Sequence, residues 1–117
     1  MSGEDKRFGA FVRRHREAKE IGLREMAKMI GVSPTYLSKV ERDEFAAPAE
    51  DKVKAIARII GCDTDELMAR ADRVSSDLSD IIKRHPVELA ALLRTTKGLT
   101  AEEMTKRARQ AQRAKDK

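Results

Sequence analysis

Residues 23–41 constrain the fold of this chain more than any other stretch. Leu23, Met26, Ala27 and Ile30 recur at the three- and four-residue spacing that gathers apolar groups on one helix face. Gly31 fits the left-handed end of such a helix, and Val32 can then turn back into a core. Ser33 followed by Pro34 is a start signal: a hydroxyl to accept a first-turn amide, then a proline where no amide bond is lost. Leu37 and Val40 give the second helix its buried face. Two short helices thus meet across a tight turn, with Ala27 at their crossing, where a bulkier side chain would push them apart.

The same periodicity extends on both sides. It predicts a first helix over 5–19, with Phe8, Phe11 or Val12, His15 and Ala18 inward. Gly22 serves as a start for the helix over 23–30, and the next runs over 34–42. After a loop at 45–48, a helix over 49–60 buries Val53, Ile56, Ala57 and Ile60 and stops at Gly61. Asp63 and Glu66 have capping-box spacing ahead of Leu67 and Met68, in a fifth helix closing near Ala71. Five helices complete a domain over residues 1–73.

A second unit, residues 74–117, holds a helix over 77–84 with Leu78, Ile81 and Ile82. Pro86 opens another, carrying Val87, Leu89, Leu92 and Leu93, which ends at Gly98. Thr100 and Glu103 form a capping box for a last helix that has only Met104 as a large apolar residue and then becomes basic. No strand pattern or internal repeat interrupts this. With 3% aromatic and 38% charged residues the chain cannot build a thick core, so thin layers of helix on helix follow. The fold class is all-α.

Charge is unevenly divided. Residues 13–42 carry net +4, residues 43–74 net −3 and residues 75–117 net +4, against +5 for the chain. Such polarity would orient a domain on a phosphate backbone. The single cysteine, Cys62, excludes an intramolecular disulfide, and no apolar run is long enough to span a bilayer. A reducing cytoplasm is the expected setting, with no membrane partner, and residues 1–5 are expected to fray.

Enzymatic chemistry finds no foothold. No serine, cysteine or carboxylate has a base partner, and Glu102 and Glu103 sit where a helix start favours acids anyway. His15 and His85 have no metal-ligand spacing with Cys62, which reads as a buried, inert core thiol. There is no glycine-rich phosphate loop. No catalytic residue, metal site or cofactor is expected.

Two helices in this arrangement can set the second one into the DNA major groove. The run Met26, Ala27, Ile30, Gly31, Val32, Ser33, Tyr36, Leu37, Ser38, Val40, Glu41 and Arg42, then Pro48, Ala57, Ile60, Gly61, Glu66 and Leu67, resembles the Xre/Cro-type phage-repressor family. The resemblance covers about residues 6–70. It implies a five-helix DNA-binding domain of a dimeric transcriptional regulator, most simply a repressor. It also implies an ion pair between Arg16 and Glu41 that braces the recognition helix.

Base-reading positions implied by the resemblance are Pro34, Thr35, Ser38 and Lys39. Lys39 can donate to guanine, Thr35 offers a hydroxyl or a methyl, and Pro34 only shape. Ser33, Tyr36, Arg42 and Arg24, the last beside a helix start, are expected to hold phosphate. The chain departs from the family pattern at Leu23, which can only pack. It departs again at Asp43 and Glu44, which oppose phosphate and leave Arg42 to do more.

Ile81, Ile82, Leu89, Leu92 and Leu93 exceed what a 43-residue appendage buries alone, so residues 75–117 are expected to form a homodimer. Packing on the chain's own first domain is the alternative. Another is an antitoxin-like role, with these helices engaging a regulatory protein partner such as a toxin, protease or antirepressor. The basic tail either meets phosphate or stays solvated.

Overall fold

Local chemistry sets each helix boundary. The computed structural model describes residues 7–116 and is all-α among them. Its helices are α1 (Phe8–Ala18), α2 (Leu23–Ile30), α3 (Pro34–Glu41), α4 (Glu50–Ile60), α5 (Thr64–Arg70), α6 (Ser76–Arg84), α7 (Pro86–Arg94) and α8 (Ala101–Lys115). Gly31 ends α2 in the left-handed region at φ 77°. Ser33 Oγ accepts the Tyr36 N–H at 3.1 Å, and Pro34 fills the first turn of α3. Asp63 Oδ1 accepts the Glu66 N–H at 3.1 Å. Thr100 and Glu103 cap α8 reciprocally, at 2.9 and 3.1 Å. The expected start of the first helix at residues 5–6 and the expected fraying of residues 1–5 lie outside the described residues.

The described chain parts into two compact units between Ser76 and Asp77. The boundary expected from the sequence, 73/74, lies close to this seam, and the connecting residues satisfy their polar groups in the first unit. The Arg73 guanidinium donates to the Pro48 carbonyl. Ser75 Oγ donates to Asp65 Oδ1 at 3.0 Å. The N–H and hydroxyl of Ser76 donate to the Glu50 carboxylate at 3.1 and 3.2 Å. Lys54 and then Ser76 hold the Glu50 carboxyl below its ordinary range.

In the first unit, α1 and α2 each pack on both α3 and α4, and α5 packs on α4. The buried cluster joins Phe8, Phe11 and Val12 of α1 to Met26, Ala27 and Ile30 of α2 and to Leu37 and Val40 of α3. Val53, Ile56, Ala57 and Ile60 of α4 and Leu67 and Met68 of α5 complete it. Each large side chain buried here contributes about 1.5–3 kcal/mol. Both Phe11 and Val12 are buried, where the sequence spacing allowed either. Ala18 is exposed instead of inward. The chain reverses at once after α1, the Ile21 N–H donating to the Arg16 carbonyl at 3.1 Å, and Ile21 packs against the cluster in its stead.

Gly9 is buried where α1 crosses the end of α3. A Cβ at that position would lie 2.1 Å from the Val40 carbonyl oxygen, so only glycine permits this approach. In the second unit none of α6, α7 and α8 buries a residue. No described helix is long and apolar enough to cross a membrane.

Candidate nucleic-acid interface

The α3 helix is two-faced. Leu37 and Val40 point into the core, and Glu41 is buried toward α1. At about 100° per residue, Thr35, Ser38, Lys39 and Arg42 fall within a single arc of about 100° on the other side. Thr35 and Arg42 are exposed, and Pro34, Ser38 and Lys39 are half-buried. Three base-reading candidates therefore share one outward face, and Pro34 stands at its leading edge. Ser33, the N-cap, spends its hydroxyl as acceptor for the Tyr36 N–H. Tyr36 is half-buried and packs its ring against the core cluster.

The bracing of this helix is strong. Arg16 Nε donates to Glu41 Oε2 and Arg16 Nη2 to Glu41 Oε1, both at 2.8 Å. The remaining Arg16 amino group donates to the Ile21 carbonyl at 2.8 Å. Both side chains are buried, at 9% and 3% exposure. Glu41 raises the Arg16 pKa above its ordinary value by hydrogen bonding, which outweighs the opposing effect of burial. A buried pair with fork-to-fork geometry and its other donor satisfied is held against its desolvation cost.

The two acids after α3 behave differently from their sequence reading. Asp43 takes a left-handed conformation, φ 60°, and its carboxylate accepts the Gly9 N–H at 2.8 Å. Arg7, the N-cap of α1, makes no side-chain cap bond, so Asp43 caps that helix from another part of the chain. Glu44 pairs with Arg42 itself, Nε to Oε2 at 3.0 Å, with both side chains 51% exposed. An exposed pair of this kind is worth about 0–1 kcal/mol, so a phosphate can displace Glu44.

Phe45, part of the 45–48 loop in the sequence, joins this face. The N–H groups of Glu44 and Phe45 both donate to the Lys39 carbonyl, which folds the chain back along α3. The Phe45 ring, 46% exposed, then sits 5.2 Å from Lys39 Nζ and 5.9 Å from the Tyr36 ring. The 5.2 Å separation is within cation–π range of the Lys39 ammonium. A lone large apolar residue between two acids and Ala-Ala-Pro was the available signal.

Arg24 is exposed in the first turn of α2, and the neighbouring Leu23 packs against the core as its apolar side chain requires. Leu23, Arg13, Arg16, Ser38, Glu41 and Arg42 line a shallow recess between α1, α2 and α3. In the second unit Ile81, Leu92 and Leu93 are exposed, and Ile82 and Leu89 are half-buried. Cys62 is half-buried rather than buried, because the left-handed turn at Gly61 carries it to the rim of the core. Its thiol donates to the Asp63 carbonyl, and burial followed by the Glu66 charge pushes its pKa up, away from reactivity. His15 bonds the Phe11 carbonyl, and no metal-binding cluster occurs among the described residues.

The helix-turn-helix family profile matches residues 12–67. Over 63 residues the chain is 36% identical to an uncharacterised HTH-type transcriptional regulator of Mycobacterium tuberculosis, covering 54% of this chain and 44% of that protein. The chain thus spans less than half the length of that relative. It is 34% identical over 64 residues to the ImmF control region 10 kDa protein of Bacillus phage phi105, covering 55% of this chain and 70% of that protein. Among solved structures, the clp gene regulator ClgR of Corynebacterium glutamicum is 31% identical over 56% of this chain and 83% of that one, with a TM-score of 0.47.

Proposed function

The chain belongs to the Xre-like helix-turn-helix family of DNA-binding transcriptional regulators, which are not enzymes, and from that membership we propose that it is a dimeric repressor of the cytoplasm. Two copies set residues 34–42 into successive major grooves of an inverted-repeat operator, about one helical turn or 34 Å apart. Thr35, Ser38 and Lys39 read base edges, with Pro34 making shape contact. Arg24, Arg42, Tyr36 and the Ser33 region hold phosphate. Repression follows from occupying promoter DNA.

The observation that carries this reading is the outward arc of α3, held from behind by the buried Arg16–Glu41 pair. Selection of bound sites from random duplex DNA tests it. A pseudo-palindromic consensus is expected, bound by two copies as measured by mass on and off DNA. Recovery of no enriched sequence would remove the proposal of sequence-specific binding.

A second reading is favoured by a separate observation: α6 and α7 bury none of their apolar residues within the chain described. Ile81, Ile82, Leu89, Leu92 and Leu93 then serve a second copy, or a regulatory protein in an antitoxin-like arrangement with DNA binding kept for autoregulation. A monomer mass for the purified chain would favour the second arrangement over the first.

A further inference from the structure

Helix α8 is exposed along its whole length. Its acids, Glu102 and Glu103, are confined to the first turn, where Glu103 accepts the Thr100 N–H. From Met104 to Lys115 it carries Lys106, Arg107, Arg109, Arg113 and Lys115 and no acid. At about 100° and 1.5 Å per residue, Lys106, Arg109 and Arg113 fall in an arc of about 60°, a row of cations about 10 Å long. None of the three is ion-paired with a described residue, whereas Arg107, on another side, lies in the field of Glu103. The side opposite the row carries Met104, Ala108 and Ala111.

We propose that the Lys106–Arg109–Arg113 row of α8 lies along a DNA phosphate backbone, adding sequence-independent contacts outside those of α3. The proposal rests on the reading of the first unit as a DNA binder and extends it to a second element. Each cation of the row that meets a phosphate oxygen neutralises one backbone charge and releases its counterion, and the long lysine and arginine side chains let the row reach successive phosphates. Two of the three cations are arginines, whose planar forks suit phosphate oxygens. The first unit leaves room for such help: residues 43–74 carry net −3, and its Arg42 is engaged by Glu44.

The salt dependence of binding by the full chain, on a mixed-sequence duplex of about 30 base pairs, tests this directly. The variant Lys106→Ala/Arg109→Ala/Arg113→Ala should lower the slope of log affinity against log salt by about 2–3, at about 0.9 per phosphate contact. Alanine favours helix, so far-ultraviolet circular dichroism should be unchanged, and the glutamine triple variant provides a second measurement. Arg107→Ala/Lys115→Ala should leave the slope as it is. An equal loss in that control would overturn the assignment to one row of α8. An unchanged slope in the triple variant, with Lys39→Ala still weakening binding, overturns the α8 contact and leaves α3 as the binder. Absence of binding by the unaltered chain, to this duplex and to a random pool, overturns the DNA-binding reading and this one with it.

Discussion

Gly9 donates its backbone N–H to Asp43 Oδ1 at 2.8 Å, tying the first turn of α1 to the chain just past the C-cap of α3. A Cβ there would fall 2.1 Å from the Val40 carbonyl oxygen and 2.8 Å from that of Glu41, both backbone atoms that cannot swing aside. Gly9→Ala should therefore destabilise the chain by about 3 kcal/mol, at the upper end for overpacking. Asp43→Ala removes a helix cap and should cost about 1 kcal/mol. Asp43→Asn, which accepts the same bond and tolerates the left-handed backbone, should keep most of it. Urea midpoints decide; a Gly9→Ala midpoint equal to that of the unaltered chain would show that α1 and α3 do not meet so closely.

Arg16→Ala should destabilise by about 3–5 kcal/mol, because it strands the Glu41 carboxylate in the core. The double substitution Arg16→Met/Glu41→Leu should recover much of that loss, since neither charge is then left unpartnered. A double-mutant cycle from denaturant unfolding measures the coupling. Additive effects of the two single changes would contradict the buried pair.

Lys39→Ala should relax base preference at one position per half-site, whereas Arg42→Ala should weaken all sequences alike. Glu44→Gln should strengthen binding several-fold, by releasing Arg42 and removing an acid near phosphate. Site selection followed by titration on the consensus and on mixed-sequence duplex separates the three. A preference profile unchanged by Lys39→Ala would strip that residue of its reading role.

Leu92→Asp places a charge in the apolar set of α7 and should turn a dimer into a monomer, with operator affinity reduced at least ten-fold. Sedimentation equilibrium and operator titration read both quantities. A dimer of unchanged affinity would locate the interface elsewhere.

The Thr100 N–H, then its hydroxyl, hold the Glu103 carboxyl below its ordinary value of 4.5. A depressed carboxylate contributes stability that is present above the unfolded pKa and lost as pH falls through the folded one. The helix signal of α8 should thus weaken as pH drops below 4.5. In Glu103→Gln, which keeps the capping box without that titrating group, the acid-dependent loss in the circular dichroism titration should be smaller than in the unaltered chain.

Much of this was legible because it is local. Gly31, Ser33, Pro34, Asp63 and Thr100 act within three or four residues of themselves, so the sequence displays both partners of each contact. The outward face of α3 follows from the same short-range periodicity. What escaped depends on partners far along the chain. Gly9 reads as a weak helix former until the Val40 carbonyl is seen beneath it. Asp43 reads as a repellent for phosphate until the α1 amide claims it. Phe45 reads as loop until the turn folds it over Lys39. The apolar residues of α6 and α7 were visible throughout, but none of them is fully buried within the described chain.

Helix α1 is fastened to the α3 segment at both of its ends, by Asp43 near its start and by the Arg16–Glu41 pair near its finish. It works as a splint that sets the pitch and roll of α3 within the folded unit. On the proposed function, the entropy of aligning that helix is settled when the chain folds rather than at each encounter with an operator. If α3 reads bases as proposed, a helix pinned in this way should have little scope to adjust to a wrong base, and the two contacts that pin it lie on the side of α3 facing the protein.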